Sequence, residues 1–289
     1  MDPLLVNHIE NCINVHFNSQ SIFTWQKVSG GSINNTFKVS TKGQTFFVKT
    51  NSKTIFKNGF KEEVLGLQFL QKNTALVTET IIEGTFNNLI YLVLEWIETG
   101  EETTEFWKNF AIQLANLHQQ KSDKFGLEYS NYMGQLIQKN TFSNNFTEFF
   151  IENRLTPQMK LAYNAHLLQK KHVFQLENLY KHLSGIFPNE KPCAVHGDLW
   201  SGNYICGINK KAIFIDPAVY YGHREIDLAM SLLFGGFSAE FYQNYQQVFP
   251  LEKGFNSRKD LYNLYPLLIH LNLFGNSYLK SIENIITKF

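Results

Sequence analysis

The chain has 289 residues, 44% of them hydrophobic, which is enough apolar material for a core and excludes disorder as its main state. Lys and Arg (26) nearly cancel Asp and Glu (25), leaving a formal charge of +1, so a general electrostatic grip on nucleic acid or an anionic membrane is not expected. The length sits near the ~250–300 residues at which one core divides into two lobes. In chain order, residues 24–28, 35–40 and 45–50 read as three strands. Ser29-Gly30-Gly31-Ser32 joins the first pair, and a turn at Thr41-Lys42-Gly43-Gln44 joins the second. Phe60, Val64, Leu67 and Leu70 then recur at helical spacing, with Asn58 as the expected cap and Glu62 and Glu63 in the first turn. Residues 90–95 form an apolar strand. Beyond Thr99-Gly100-Glu101-Glu102 the pattern turns helical, first through Phe106, Trp107, Phe110, Leu114 and Leu117. It continues near 146–152, 161–183, 224–233, 239–248 and 257–280, interrupted by a hairpin of 204–206 with 212–215. These patterns predict an α+β, two-lobed architecture. A small β-rich lobe with one helix spans 1–95, a hinge spans 96–101, and a larger, mainly helical lobe spans 102–289.

No segment approaches the ~18 consecutive apolar residues of a membrane span. Met1-Asp2-Pro3 does not open a secretory signal. Cys12, Cys193 and Cys206 are odd in number and widely spaced, which fits free thiols in a reducing cytoplasm better than disulfides or a zinc site.

The densest polar cluster is His196-Gly197-Asp198-Leu199-Trp200-Ser201-Gly202-Asn203, followed by Ile213-Phe214-Ile215-Asp216-Pro217. An Asp and an Asn five residues apart, then a hairpin ending in a second Asp, is the arrangement of kinase-type phosphoryl transfer. ATP needs Mg²⁺ across its phosphates, and Mg²⁺ needs hard oxygen ligands. Asn203 and Asp216 offer those oxygens, which leaves Asp198 as the base toward an attacking hydroxyl. His-Gly-Asp alone is common in loops and a strand-end Asp is often only a cap; the spacing, the hairpin and the second Asp together carry the reading. Gly197 stands where protein kinases have Arg, so no answer to an activation-loop phosphate is expected, and the acceptor is expected to be a small molecule.

Upstream, Lys49 ends Phe46-Phe47-Val48-Lys49 and is expected to hold the α- and β-phosphates. Glu63 is its expected partner. Glu62 competes, but Glu63 lies beside Val64 on the buried stripe. Gly30, Gly31 and Ser32 would let backbone N–H groups approach the triphosphate. Glu95, Trp96 and Ile97 are the expected adenine-facing hinge. Asp227 is expected to support the catalytic loop and not to react.

These features make the chain resemble the fructosamine kinase (ketosamine-3-kinase) family, a branch of the protein-kinase-like superfamily that also holds aminoglycoside and choline kinases. The resemblance rests on Gly30-Gly31-Ser32-Ile33-Asn34, Phe46-Phe47-Val48-Lys49, Asn131-Tyr132-Met133-Gly134, Arg154-Leu155-Thr156-Pro157-Gln158, the string from His196 to Asn203, Leu233-Phe234-Gly235-Gly236-Phe237 and His270-Leu271-Asn272. It implies ATP- and Mg²⁺-dependent phosphorylation of the 3-hydroxyl of a ketosamine, small or protein-bound, with release of the amine as the outcome. It also implies that Trp200 and His270 contact the substrate, although a core Trp and a structural His are the plain alternatives. Some eukaryotic members carry a redox-active Cys in the glycine loop; Ser32 occupies that place here, so no such switch is expected. A kinase for another small alcohol (an aminoglycoside, choline or a thio-sugar) and a catalytically silent binding protein stay open at this point, as does monomer against weak homodimer.

Overall fold

Alternation of side chains along the strands sets the N-terminal lobe. The computed structural model describes residues 2–28, 33–56 and 59–288. Helix α1 (Pro3–His16) is followed by β1 (Thr24–Lys27), β2 (Asn35–Ser40), β3 (Thr45–Ser52), α2 (Lys61–Lys72), β4 (Thr80–Phe86) and β5 (Leu89–Glu95). The five strands form one antiparallel sheet in the order β1-β2-β3-β5-β4. Phe46, Val48, Tyr91 and Val93 pack outward against Leu5, Ile9 and Ile13 of α1. Ile90, Leu92 and Leu94 face the other way, toward Phe56, Phe60 and Leu67. Lys49 therefore points to the α2 side.

Helix α1 and strand β4 were not expected. Asp2 caps α1, its carboxylate accepting from the Leu4 N–H at 2.9 Å, and Pro3 occupies the first turn. Its buried positions are four apart, a stripe only three residues long in total. Helix α2 begins at Lys61 with Phe60 at the cap position and no side-chain cap; the expected cap, Asn58, lies outside the described residues.

The larger lobe is helical. It comprises α3 (Thr104–His118), a hairpin of β6 (Asn131–Met133) and β7 (Leu136–Gln138), α4 (Phe146–Phe150), α5 (Thr156–Asn164) and α6 (Lys170–Tyr180). Then come β8 (Cys193–Val195), β9 (Tyr204–Cys206), β10 (Ala212–Phe214), β11 (Tyr220–Gly222), α7 (Glu225–Phe234), α8 (Ala239–Val248), α9 (Phe255–Phe274) and α10 (Leu279–Ile286). Strands β9 and β10 form the expected hairpin, while β11 pairs with β8.

Two long helical stretches resolve into shorter pieces. The expected helix over 161–183 breaks after Asn164, where His166 takes φ 58° and the Leu167 and Leu168 N–H groups both turn back to the Ala162 carbonyl. The stretch over 257–280 ends at Gly275, whose φ of 86° stops α9 before a short 3₁₀ turn and α10. Between α4 and α5 lies a π-helical turn, Ile151–Leu155. Pro157 has no N–H for the Asn153 carbonyl, and Arg154 Nη1 donates to that oxygen at 3.2 Å instead. The three cysteines are free, and among the described residues no helix is long and apolar enough to cross a membrane.

Candidate active site

Lys49 leaves β3 toward α2, where its ammonium meets Glu63 Oε1 at 2.8 Å and also pairs with Asp216 Oδ1. The Lys49 side chain is 5% exposed and Glu63 16%, whereas Asp216 is 40% exposed and opens toward solvent. Gly66 lets α2 come this close, since a Cβ there would meet Pro217 Cγ at 3.0 Å. Burial works against the Lys49 charge, but the two carboxylates more than offset it and raise its pKa. Burial, together with the Asp216 charge, pushes Glu63 up to about 7 against the pull of Lys49. Asp216 is also opposed by burial, and Lys49 nevertheless holds it below the usual carboxylate range. Asp216 stands at φ 51°, a left-handed conformation that turns the chain out of β10 and toward this cluster.

The second cluster is the loop after β8. Asn203 Nδ2 donates to the Asp198 main-chain oxygen at 2.8 Å and to Asp198 Oδ2 at 3.0 Å. The five-residue spacing thus closes into one turn. Gly197 stands at φ 83°, and a Cβ there would run into the Ala218 carbonyl, so the loop requires glycine at this position. Burial pushes the Asp198 carboxyl up to about 7; the Asn203 hydrogen bond opposes this, and the Asp216 and Asp227 charges add to it. Because kcat/KM reports the free enzyme, it should climb about tenfold per pH unit below pH about 7 and level off above, as a base that must be ionised requires. A profile flat from pH 5.5 to 8.5 would remove Asp198 from that role.

Two buried histidines and Asp227 bind these clusters together. His196 Nε2–H donates to the Ile215 carbonyl at 3.0 Å, and the Ile215 N–H donates to the Asn203 carbonyl at 3.1 Å. Fully buried Asp227 accepts the His196 N–H at 2.8 Å, the Gly197 N–H at 2.9 Å and His118 Nε2–H at 3.1 Å. It has the supporting position expected of it. Burial lowers the pKa of both histidines and keeps them neutral.

A third layer uses residues that serve in the sequence only as marks of the resemblance, with no role assigned. Asn131 and Gln138 donate to the Val219 and Ala218 carbonyls at 2.9 Å each, just beyond Asp216. Asn140 donates to Asn131 at 3.0 Å and accepts from Arg154 Nη2 at 2.7 Å. Arg154 is fully buried and no carboxylate pairs with it among the described residues. It donates to the Lys139 carbonyl and lies over the rings of Tyr220 (4.0 Å), Phe149 (4.6 Å) and Tyr265 (5.4 Å). Arg154→Met leaves three oxygens short of a donor, two of them in buried hydrogen bonds, and should cost about 3 kcal/mol or more in urea unfolding. A cost below about 1 kcal/mol would show the network to be dispensable.

Trp200 is 37% exposed and therefore no core residue. His270 Nδ1–H donates to the Pro266 carbonyl at 2.7 Å, which fixes the tautomer and leaves Nε2 as an acceptor. At the hinge, Glu95 ends β5. Its N–H is taken by the Glu79 carbonyl at 2.9 Å, and the Trp96 N–H by the Thr45 carbonyl at 3.2 Å. The adenine-facing role expected of this segment narrows to the Ile97 N–H and the carbonyls. Trp96 lies against the cross-strand pair Phe47 and Lys38, whose ammonium lies 4.3 Å from the ring centroid. Gly30, Gly31 and Ser32 lie outside the described residues.

Among the described residues no three His, Cys, Asp or Glu side chains gather closely enough to hold a metal alone. The oxygens at hand are the Asp216 carboxylate and Asn203 Oδ1, which has no hydrogen-bond donor among the described residues. Such a sparse, hard donor set fits Mg²⁺, which keeps waters and takes phosphate oxygens.

A family model described as fructosamine kinase matches residues 5–289. An Enterococcus faecium protein named a probable ketoamine kinase is 40% identical, over 91% of this chain and 94% of its own. A chloroplastic protein-ribulosamine 3-kinase of Arabidopsis thaliana is 36% identical, over 91% of this chain and 81% of its own. Among solved structures, a Haemophilus somnus protein provisionally named fructosamine-3-kinase superposes with a TM-score of 0.87 at 30% identity, covering 97% of this chain and 96% of its own. The ternary complex of an aminoglycoside phosphotransferase with AMP-PNP and hygromycin B superposes at 0.67 with 14% identity, covering 96% and 98%, and shows the shared kinase-like fold.

Proposed function

From the premise that this chain belongs to the fructosamine kinase family, we propose a division of labour among its residues. The chain is an ATP-dependent phosphotransferase whose acceptor is a ketosamine, a sugar–amine adduct, phosphorylated at the 3-hydroxyl with loss of the amine as the consequence. The family match excludes the other small-alcohol acceptors as first choices. The observation that carries the site assignment is the convergence of Lys49, Glu63 and Asp216 beside the Asp198–Asn203 turn.

In this reading residues 1–95 are the nucleotide lobe, 96–101 the hinge and 102–289 the catalytic and substrate lobe. Lys49, aligned by Glu63, holds the α- and β-phosphates, with Gly30, Gly31 and Ser32 over the triphosphate. Glu95, Trp96 and Ile97 border the adenine. Asn203 and Asp216 would hold Mg²⁺, which would supply positive charge against the phosphates. Asp198 accepts the proton of the sugar 3-hydroxyl as that oxygen bonds to the γ-phosphorus of ATP and ADP leaves with the bridging oxygen. Trp200 flanks the sugar, and His270 Nε2 accepts from one of its other hydroxyls. The supporting network keeps these groups in place, so positioning and charge neutralisation supply most of the acceleration. The enzyme works in the cytoplasm as a monomer or weak homodimer.

ATP turnover on fructosamine and ribulosamine, with the phosphate position read by ³¹P and ¹³C NMR, tests the reaction. Phosphate on carbon 3 is the expected product. Phosphate elsewhere on the sugar, or turnover only with aminoglycosides or choline, would sink it.

A further inference from the structure

An aromatic surface continues outward from the reacting end of the site. Trp200 lies two residues beyond Asp198, and its indole is laid over Gly202, where a Cβ would strike the ring. Its edge meets Phe234 at 6.2 Å between ring centroids; Phe234 lies 4.8 Å from His270, and His270 lies 5.5 Å from Phe274. Trp200, Phe234 and Phe274 are large apolar side chains left 37%, 37% and 47% exposed. Their placement is held from two sides. Gly235 and Gly236, at φ 71° and 91°, turn the chain after α7 so closely onto the catalytic loop that a Cβ at Gly236 would sit 2.6 Å from Ser201 Cβ. On α9, Leu273 borders Gly134 of the β6–β7 turn, and Gly134 in turn borders Ile33, the residue next to the glycine loop. The shelf therefore runs from the catalytic turn across the end of α7 to the end of α9.

We propose that this shelf receives the amine carrier of the ketosamine, and that it selects carriers with an extended aliphatic or aromatic chain over small or acidic ones. The proposal rests on the ketosamine reading above. A sugar with its 3-hydroxyl at Asp198 must project its amine out of the crevice, and the surface continuous with Trp200 in that direction is aromatic. No Lys or Arg lies over the Trp200, Phe234 or Phe274 rings among the described residues, so a carrier carboxylate meets no counterion on them. An alkyl stem or a ring covers apolar surface that is otherwise wet.

The test uses adducts of one sugar with methylamine, n-butylamine, benzylamine and glycine. The butylamine and benzylamine adducts should exceed the methylamine adduct in kcat/KM by about five- to tenfold, a part of what three buried methylenes allow. The glycine adduct should not exceed the methylamine adduct. In Phe274→Ala the butyl-to-methyl ratio should fall to within about twofold, and Phe234→Leu should lower it partway. Phe274 is at the exposed end of α9, and its loss leaves the core intact. Turnover on all four adducts with a flat profile, or a preference for glycine, overturns the shelf while the ketosamine reading stands. Absence of turnover on every adduct overturns both.

Discussion

Asp198→Asn will lower kcat by about 10²–10⁴-fold and leave Mg-ATP binding within a few fold of the parent. The replacement keeps the shape of the side chain and its neighbours: the Asn203 amide still finds the Asp198 main-chain oxygen at 2.8 Å. What it removes is the one group that the turn presents as a proton acceptor. Lys49, Glu63 and Asp216, assigned to the nucleotide in the proposed reading, are untouched. The measurement is a pair: steady-state turnover on a ketosamine, and a nucleotide titration followed by calorimetry. Turnover within tenfold of the parent would move the base elsewhere.

The same variant carries a second signature. The Asp198 carboxyl is pushed from its ordinary 3.8 up to about 7 in the folded protein, chiefly by burial. The folded chain therefore binds this proton more tightly than the unfolded chain. By linkage, this carboxyl contributes stability at low pH and takes it away as pH rises from about 4 through about 7. Asn in its place has no such proton to lose. At pH 8 the variant should melt a few degrees higher than the parent, at about 2–4 °C per kcal/mol for a chain of this class, and at pH 4.5 the difference should shrink. An inactive protein that is more stable only at high pH distinguishes a poised base from a merely damaged loop.

Legibility of this molecule in its sequence followed the range of the interaction. β2, β3 and the β9–β10 hairpin were readable because period-two alternation and turn residues lie within a dozen positions. Lys49 and Glu63 were readable because a strand and the start of the next helix are separated by one connection, although β3 runs three residues past Lys49 to Ser52. β4 was not, since its residues are half-exposed along an edge and alternate weakly. The role of the Arg154 layer was not readable for a different reason, although its residues stand in strings that carry the resemblance. Asn131, Gln138, Asn140 and Arg154 converge from a hairpin and a π-helical turn, and neutral amides carry no spacing rule. Nor does any local pattern reveal that the Trp96 N–H is already taken by Thr45, because that depends on strand register. The chemistry could be read from short motifs, while the scaffolding that aims it is a product of packing.

Asp216→Ala should abolish metal-dependent nucleotide binding and lower kcat/KM by about 10²–10³-fold or more. Asp216 does two things that no neighbour duplicates. It offers a carboxylate, 40% exposed, beside Lys49, and it divides the Lys49 charge with Glu63. Two carboxylates on one buried ammonium are a frustrated arrangement, and Glu63, pushed up to about 7, bears the strain. In the proposed assignment, a cation bound at Asp216 would leave Lys49 to Glu63 and to the phosphates. In the alanine variant that exchange is lost, and Lys49 collapses onto Glu63 whether or not nucleotide is present. The Glu63 carboxyl should then titrate lower, since one of the causes holding it up has gone. Two readouts follow. A thermal-shift titration should show the parent stabilised by ATP with Mg²⁺ more than by ATP with EDTA, and the variant should respond equally to both. Infrared titration of a ¹³C-glutamate-labelled protein should move the Glu63 band to lower pH in the variant. A variant that keeps the Mg²⁺-dependent increment would take the metal away from Asp216, and with it the reason for the left-handed turn at that residue.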